Sequence, residues 1–474
     1  MSKVYRHTKI IFTIGPATES EDMLENLIRE GVDVCRINMA HADHDWTRKT
    51  VKRIRKITEK VGREIAIMMD VKGPEIRTCP LDNPIELIKG QRVDLSTDAN
   101  TFTYDDNELP VFGVNYPALI EDLSSGNTVQ VDNGLLKFEV LGKTDTRIQC
   151  EVLIGGKLGS RRHINLPGVR INLPAITEKD KRDIEVGVEA GVDQFALSFV
   201  REATDIDVLR EFLLSLGSET KIVAKIEDQS AISNLDEIIL AADSLMVARG
   251  DLGIECPLEE LPIIQKLAVK KCLEIGKSVI VATHMLESMI DNPVPTRAEV
   301  TDVSNAVYER ADCIMLSGET TVGKYPLECV RVFNRIAVRM ESVDGAGFAQ
   351  GRILNGPRTM MLRSAKNLAE ELGNVPILVF TKTGRFGEIL SSLRCRGPVY
   401  AFTDNVCVLR DLVTLWGIEP FLMDFKEDPE QTILDAFKVL LDRDWVKEGQ
   451  QLVVVTNVLA HGKTVDSMQL RYVD

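Results

Sequence analysis

The chain has 474 residues, more than one ordinary hydrophobic core holds, which predicts two or three domains. Its 57 basic and 72 acidic side chains give a net charge of -15, which argues against nucleic acid or an anionic membrane as the main partner. The nine cysteines are scattered and form no C-x-x-C pair, which fits a protein of the reducing cytoplasm. The sequence also shows no signal peptide and no apolar run long enough to span a bilayer.

Short apolar strands alternate with amphipathic helices along most of the chain. The predicted strands lie in TKIIFTIGP (8–16), DVCRINMA (33–40), EIAIMMDVKGP (64–74), DQFALSFV (193–200), TKIVAKIE (220–227), SLMVARGD (244–251), SVIVATHM (278–285) and CIMLSGET (313–320). Eight strands that are each followed by a helix are typical of a closed (β/α)8 TIM barrel. A doubly wound open sheet is the alternative, but eight nearly continuous apolar strands favour closure.

Capping residues mark the predicted helix boundaries. The segment TESEDMLENLIREG is predicted to begin with a capping box formed by Thr18 and Glu21 and to end at Gly31. The segment TEKDKRDIEVGVEAG is predicted to begin at Thr177 and to end at Gly191.

Two stretches depart from the barrel rhythm. Between Thr78 and Gly168 alternating strands such as GNTVQVDNGLLKFEV replace the helices, which predicts an inserted β domain. After about residue 345, strands in PILVFTKTG, PVYAFTD, EPFLMDF and QQLVVVTN predict a separate open-sheet α/β domain. The predicted boundaries are 1–78 and 168–343 for the barrel, 79–167 for the insertion and 344–474 for the C-terminal domain.

Polar side chains are concentrated where the predicted barrel strands end, which is where barrel enzymes carry their chemistry. They are Arg36, Asn38, Asp70, Lys72, Glu75, Arg77, Lys225, Glu227, Arg249, Asp251, Thr283, Ser317 and Glu319. One such position is usually a solvated charge or a structural ion pair. Agreement among six strand ends instead indicates one shared active site.

The residue types at these strand ends indicate a reaction class. Lys225 and Glu227 are two residues apart on one strand and point to the same side. Glu227 and Asp251, from adjacent strands, could share a divalent cation, and oxygen ligands favour Mg2+ or Mn2+ over zinc. The neighbouring cations suit phosphate oxygens, and no Ser-His-Asp pattern or Walker loop is present. This set predicts phosphoryl transfer or enolate stabilisation.

Several long motifs, in order along the chain, closely resemble the pyruvate kinase family. They are TKIIFTIGPAT, RIN, DVKGPEIRT, INLPAITEKD, VAKIED, MVARGDLGIE, VATHMLESM, PTRAEVTDVSNAV and IMLSGETTVGKYPLE. The resemblance implies a (β/α)8 barrel with a β-barrel lid domain inserted after the third strand and a C-terminal effector domain. It also implies a cytoplasmic homotetramer that transfers the phosphoryl group of phosphoenolpyruvate to ADP in glycolysis, giving pyruvate and ATP.

The resemblance further implies individual catalytic roles. Lys225 would stabilise the transferring phosphoryl group and the enolate oxygen, and Arg36 would contact the phosphoryl group. Lys72 and Arg77 would add positive charge nearby. Thr283 would lie near the methylene carbon and help to protonate the enol.

The same resemblance implies ligands for the divalent metal and the substrate. Glu227 and Asp251 would bind Mg2+ (or Mn2+), which also chelates the substrate. The amides of Gly250 and Asp251, at a helix start, would hold the substrate carboxylate. Ser317 and Glu319 would belong to the water relay that carries the proton.

A potassium site is implied, but it lacks one ligand. Asn38, Asp70 and the backbone carbonyl of Val71 would bind K+ beside the phosphate. Ala40 stands where the family commonly has a serine, and a methyl group cannot coordinate a cation. Glu75 is of the type found in potassium-requiring members, so K+ stimulation with a raised half-saturating concentration is expected.

The implied nucleotide and effector sites lie outside this core. Asn38, His41, Arg77 and Arg162 would lie near the nucleotide, with Arg162 replacing a family lysine. The loop TKTGRFG resembles the family's effector-phosphate loop, and the matching residues are Thr381, Lys382, Thr383, Gly384 and Arg385. Phe386 removes a common hydroxyl donor, and HGKTVDSMQL leaves little room for a sugar-bisphosphate loop. These features predict a monophosphate effector; an ordinary strand-to-helix turn is the alternative.

Two other functions stay open on the sequence. Another Mg2+-dependent pyruvate or enolate barrel enzyme, such as an aldolase, would share Glu227 and Asp251 but would not need a nucleotide lid. A metabolite-binding homologue without catalysis is the second, and intact Lys225 and Thr283 argue against it.

Overall fold

The computed structural model of the chain describes residues 5–98, 109–352, 354, 356–460 and 463–473. Eight parallel strands, named β1 to β8 here, close into a barrel in which each strand pairs with the next and β8 pairs with β1. They are β1 Lys9–Thr13, β2 Val34–Asn38, β3 Ala66–Val71, β4 Gln194–Leu197, β5 Lys221–Ile226, β6 Ser244–Ala248, β7 Ser278–Ala282 and β8 Cys313–Leu316. The predicted closed barrel is confirmed, and an open sheet is excluded.

Helices connect the barrel strands and cover the outside of the barrel. The main ones are Glu21–Glu30, His44–Val61, Glu178–Ala190, Ala203–Ser215, Leu235–Ala241, Leu261–Ile275, Arg297–Tyr308 and Pro326–Glu341. Short helices stand at the ends of β5 to β8, at Gln229–Ser233, Arg249–Glu255, Glu287–Ile290 (a 3-10 helix) and Gly318–Thr321. None of the described helices is long and apolar enough to cross a bilayer.

The helix caps confirm one prediction and correct another. Helix Glu178–Ala190 begins with a capping box formed by Thr177 and Asp180 and ends at Gly191 in a left-handed conformation, as predicted. The capping box predicted from Thr18 is wrong, because Ser20 caps helix Glu21–Glu30. Thr18 Oγ1 instead donates to the carbonyl of Thr320 at 2.8 Å, so its hydroxyl joins the start of the chain to the loop after β8.

Two apolar layers surround the barrel strands. Side chains of alternate strand residues, such as Met68, Val223, Met246 and Met315, fill the interior. The other strand side chains pack against the surrounding helices in the largest hydrophobic cluster of the described residues. Because the apolar filling occupies the barrel interior, polar side chains are confined to the strand ends, where water and ligands can reach them.

The insertion after β3 is a mainly antiparallel β domain, in which only Arg92–Ser96 and Val111–Gly113 pair in parallel among the described strands. Its described part contains one short helix, Leu119–Asp122. A curled sheet has the order Ile164–Asn165, Thr128–Val131, Leu136–Lys143, Arg147–Ile154, Arg92–Ser96 and Val111–Gly113. A two-stranded sheet joins Gly156–Leu158 to Ile85–Leu87. The domain has its own hydrophobic core, so it can move as a unit relative to the barrel. We call it the lid.

The C-terminal domain is a five-stranded sheet with helices on both faces. Its strands, in sheet order, are Ile418–Leu422, Val399–Thr403, Ile377–Phe380, Gln451–Ala460 and Lys463–Tyr472. Its helices are Pro357–Glu371, Arg385–Ser392, Val406–Val413 and Pro429–Asp442, with a 3-10 helix at Phe348–Gly351 before them.

This domain packs against the amino ends of the barrel strands. Lys9 Nζ at the start of β1 donates to the carbonyl of Ile418 at 2.6 Å, and Arg394 pairs with Asp312 before β8 at 2.6 Å. The last strand, Lys463–Tyr472, was not predicted from the sequence and pairs antiparallel with its predecessor as far as Ala460 and Lys463. His461 and Gly462, which begin the segment expected to leave little room for a bisphosphate, lie outside the described residues.

Candidate active site

A network of buried charges joins the carboxyl ends of β2, β3 and β5. Lys225 Nζ lies 2.8 Å from Glu227 Oε1 and 3.1 Å from Asp70 Oδ1, and it donates to Ser198 Oγ at 2.7 Å. Arg36 Nε donates to Asp70 Oδ2 at 2.7 Å. Lys225 and Glu227 point to the same side because alternate residues of a pleated strand do so, as the sequence predicted.

Each charge in this network is stabilised by an opposite charge. Burial disfavours the Lys225 ammonium, but the carboxylates of Asp70 and Glu227 outweigh burial and raise its pKa. Burial likewise opposes ionisation of Asp70, yet Lys225 and Arg36 lower its pKa overall. Both groups are therefore charged at neutral pH. Removing one partner would leave a buried charge uncompensated, which is strongly destabilising.

Glu227 and Asp251 could hold a divalent metal. Glu227 is 1% exposed, and its Oε2 accepts the amide N–H of Phe199 at 2.9 Å. Burial, and to a lesser extent the carboxylate of Asp251, raise the pKa of Glu227 to about 7 against the opposing charge of Lys225. A divalent cation between the two carboxylates would remove this repulsion. Among the described residues no three His, Cys, Asp or Glu side chains form a metal-binding group, so further ligands would come from substrate or water.

Thr283 follows β7 in a left-handed conformation with a φ of 67°, which is uncommon for a β-branched residue. Its Oγ1 accepts the amide N–H of Gly250 at 2.7 Å, and Arg249 donates to its carbonyl at 2.7 Å. Arg249 is thus a structural residue that fixes the Thr283 backbone. A Cβ atom at Gly250 would lie 3.4 Å from Thr283 Oγ1, an ordinary van der Waals distance, so this hydrogen bond does not by itself require glycine. The Gly250 amide implied for the substrate carboxylate is engaged by Thr283 in this structure.

Glu319 connects the ends of β7 and β8. It is 3% exposed, and its two oxygens accept the amide N–H groups of Ser317 at 2.8 Å and Leu286 at 3.0 Å. The Ser317 hydroxyl is buried and has no hydrogen-bond partner among the described residues. Glu319 therefore holds backbone in place, whereas Ser317 has a hydroxyl available for a proton relay.

Lys72 and Arg77 lie around Glu75 rather than in direct contact with Lys225. Lys72 Nζ is 2.9 Å and Arg77 Nε is 2.7 Å from Glu75 Oε2. Burial raises the pKa of Glu75, but hydrogen bonds from Arg77 and Lys72 lower it overall. Arg77 also donates to the carbonyl of Arg161 at 2.8 Å, which joins this cluster to the lid.

The residues implied for potassium are neighbours across β2 and β3. Asn38 stands opposite Asp70 in the sheet register, and Val71 follows with its side chain fully buried. Asn38 Oδ1 accepts the amide N–H of Ala40 at 3.0 Å. Ala40 is exposed, so a serine hydroxyl would fit at this position without displacing the core.

The residues implied for the nucleotide lie apart from one another in this structure. His41 is exposed beyond β2, and Arg162 in the lid is 3.3 Å from Asp132 Oδ1 of the same domain. Lys179, which the sequence analysis did not single out, donates to the carbonyl of Met39 at 3.2 Å. It shares a cleft of about 280 Å³ with Lys72 and Arg77.

The implied effector residues lie in the C-terminal domain, remote from the strand ends of the barrel. Gly384 has a φ of 79° and stands directly before helix Arg385–Ser392. Lys382, Thr383 and Arg385 are exposed, whereas Thr381 is 7% exposed. Phe386 packs into the domain core, as a residue without a donor group would.

Besides Lys179, three polar residues of the site were missed in the sequence. Ser198 after β4 lies 3.2 Å from Asp70 Oδ1 and also accepts from Lys225. Thr13 at the end of β1 accepts from Arg36 at 3.1 Å. His163 of the lid lies near Glu75, and burial lowers its pKa. Ser198 and Thr13 had a signal, because each is a hydroxyl residue that closes an apolar strand.

Family models match the two larger domains. The model for the pyruvate kinase barrel domain matches residues 5–330, and that for the pyruvate kinase alpha/beta domain matches residues 359–470. The chain belongs to the pyruvate kinase family. It is therefore an enzyme, a phosphotransferase with pyruvate kinase activity.

Individual relatives are similar over nearly the whole chain. The chloroplastic pyruvate kinase isozyme G of Nicotiana tabacum is 42% identical over 455 residues, which cover 95% of this chain and 80% of that protein. The pyruvate kinase of Geobacillus stearothermophilus is 40% identical, with 97% and 78% covered. A crystal structure of a pyruvate kinase from Cryptosporidium parvum superposes with a TM-score of 0.93 at 33% identity, covering 99% of this chain and 96% of that one. An aldolase-like function is thereby excluded.

Replacing Ser198 by alanine is expected to lower kcat for pyruvate formation by on the order of ten- to a hundredfold, because Lys225 loses a hydrogen bond to a charged group. Thr50→Val is the matched control, since the buried Thr50 hydroxyl has no partner among the described residues. Steady-state kinetics of both variants test this. Wild-type kcat in Ser198→Ala would contradict a role of this hydroxyl in placing the ammonium.

Proposed function

We propose that the chain transfers the phosphoryl group of phosphoenolpyruvate to ADP in the cytoplasm, forming pyruvate and ATP. The pair formed by Lys225 and Glu227 carries the proposal, because it sets a permanent ammonium 2.8 Å from a potential metal ligand at the mouth of a closed barrel. Negative charge develops on phosphoryl and enolate oxygens together in this reaction. A preorganised cation at that place stabilises the charge without reorganisation.

The proposed mechanism assigns the steps to named side chains. Mg2+ or Mn2+, when bound by Glu227 and Asp251, would act as a Lewis acid on substrate oxygens. Arg36 and Lys225 bind and orient the phosphoryl group. Thr283 holds its hydroxyl at the position where the enol carbon is protonated, with Oγ1 fixed by the Gly250 amide at 2.7 Å.

The lid and the cation cluster complete the proposed nucleotide site. Lys72, Arg77 and Arg162 lie on the barrel-to-lid connection or in the lid and would offset the charge of the ADP phosphates. Asn38 and His41 would contact the nucleotide from β2. Closure of the lid, residues 79–167, over the barrel of 1–78 and 168–343 would exclude water from the phosphoryl group.

K+ is proposed beside the phosphate, bound by Asn38, Asp70 and the carbonyl of Val71. The carboxylate of Asp70 is already shared by Arg36 and Lys225, which leaves less negative charge for a monovalent ion. Ala40 supplies no side-chain ligand, and water can take that position because hard cations accept water. We therefore expect a weak potassium site.

A homotetramer is proposed from two separate apolar surfaces. Ile263, Leu267 and Val300 are exposed on helices Leu261–Ile275 and Arg297–Tyr308 of the barrel. Leu470 and Tyr472 are exposed on the outer strand of the C-terminal domain, residues 344–474. Two different self-complementary surfaces on one subunit build a dimer of dimers.

The assay that tests the proposed function couples pyruvate formation to a detectable reaction, with phosphoenolpyruvate, ADP, Mg2+ and K+. Lys225→Met is expected to lower kcat by about 100- to 1000-fold because one preorganised charge is lost. Lys9→Met is the matched control, since Lys9 is 2% exposed but lies at the other end of the barrel. A Lys225→Met variant that keeps most of its turnover would refute the assignment, as would a wild-type protein without ADP-dependent activity.

Ala40→Ser is expected to lower the half-saturating K+ concentration, because the hydroxyl adds an oxygen ligand beside Asn38. The measurement is a series of initial rates over K+ concentration, starting from potassium-free buffer. Ala42→Ser, two residues further on, serves as control. Full wild-type activity without any monovalent cation would mean that the charge is supplied in another way.

A phosphorylated effector, a monophosphate rather than fructose bisphosphate, is expected to bind at the loop of Thr381, Lys382, Thr383, Gly384 and Arg385. The exposed cations Lys382 and Arg385 flank a helix start, whereas the buried Phe386 offers no donor for a second phosphate. Isothermal titration calorimetry of the wild type and of Lys382→Ala tests this. Tight binding of fructose bisphosphate, or no phosphate ligand at all, would contradict it.

A further inference from the structure

One hydrogen bond reaches from the lid sheet to a helix of the barrel. Asn165 Nδ2 donates to Glu255 Oε1 at 2.7 Å. Asn165 ends the lid strand Ile164–Asn165 and is 4% exposed. Glu255 ends helix Arg249–Glu255, whose first turn carries Gly250 and Asp251. The two residues thus connect the lid to the helix proposed to bind metal and substrate carboxylate.

The other hydrogen bonds between the lid and the barrel differ in kind. Within the described ranges they end on residues 75–78, through which the chain enters the lid, or on Val169 and Asn172, just after the chain leaves it. Such bonds stabilise the two connections between the domains. The bond to Glu255 spans 90 residues of sequence and ends on the helix that carries Gly250 and Asp251.

We propose that Asn165 and Glu255 are positioning residues that hold the lid in register over the helix carrying Gly250 and Asp251. Neither side chain touches the reacting atoms. Their effect on the reaction is to place the nucleotide-binding face of the lid, including Arg162, opposite Lys225. The inference deepens the proposed function and rests on it.

The pairing of Asn165 and Glu255 is incomplete, which makes it testable. Asn165 Oδ1 is buried and lacks a partner among the described residues, which costs free energy. A glutamine at 255 has an amide oxygen for Asn165 Nδ2 and an N–H for Asn165 Oδ1, so it can form both hydrogen bonds. An alanine at 255 forms neither, and an aspartate at 165 faces the Glu255 carboxylate with a like charge.

These differences predict an order among the variants. Glu255→Ala and Asn165→Ala are expected to lower kcat/KM for ADP by about ten- to a hundredfold, the effect of leaving a buried polar group without its hydrogen bond. Asn165→Asp is expected to lower kcat/KM for ADP further than either alanine variant. Glu255→Gln is expected to keep kcat/KM for ADP within about threefold of wild type, because the pairing is retained.

The experiment separates lid placement from support of the barrel helix. Steady-state kinetics give kcat and KM for ADP, and NMR gives the rate at which pyruvate methyl protons exchange with deuterium in the presence of Mg2+, K+ and inorganic phosphate. In the proposed mechanism that exchange uses Lys225 and Thr283 of the barrel and no nucleotide. We expect the alanine variants to lose ADP-dependent turnover and to keep methyl exchange at the wild-type rate.

Asn127→Ala is the matched control, because Asn127 Oδ1 accepts a backbone N–H of Ser124 inside the lid at 2.7 Å. Unchanged kinetics in Glu255→Ala and Asn165→Ala, even with a lower melting temperature, would overturn the inference. An equal loss of methyl exchange would also overturn it, since the pair would then support the helix alone. If Glu255→Ala does not fold, the kinetics of Asn165→Ala and Asn165→Asp test the inference in its place. A wild-type protein inactive with ADP would refute the proposed function instead.

Discussion

The site depends on the burial of one positive charge at Lys225. An ammonium that is 8% exposed is stable only with opposite charges in contact, and Asp70 and Glu227 supply them from two strands. Because both carboxylates must contact the ammonium, the ends of β3 and β5 lie close together, each about one hydrogen-bond length from Lys225 Nζ. Arg36 then pairs with the remaining oxygen of Asp70, which brings in β2.

The balance of charges in this network explains why a bound cation would stabilise it. Lys225 and Arg36 supply two positive charges, whereas Asp70, Glu227 and Asp251 supply three negative ones when ionised. Burial, together with the like charges of Asp251 and Asp70, raises the pKa of the Glu227 carboxyl to about 7. A divalent cation would reverse the balance and leave the site positive, as an anionic substrate requires. Binding of the metal is therefore expected to raise the affinity for the substrate, and binding of the substrate to raise the affinity for the metal.

The architecture separates three tasks that one core could not combine. The closed barrel is rigid and fixes the charges, because each strand is held on both sides. The lid has its own core and few bonds to the barrel, so it can open for the nucleotide. The C-terminal domain contacts the amino ends of the barrel strands, so within one chain a ligand bound there can influence the site through the barrel.

The sequence by itself determined the local and periodic features. Eight apolar strands predicted the barrel, and the two-residue spacing placed Lys225 beside Glu227, because strand pleating depends on the chain alone. Contacts between distant segments were decided only by the tertiary structure. The sequence misplaced the cap at Thr18 and missed Ser198 at the strand ends and Asn165 against Glu255. Propensity does not record which element lies opposite a side chain, and closure of the barrel, which sets the partners, is a property of all eight strands together.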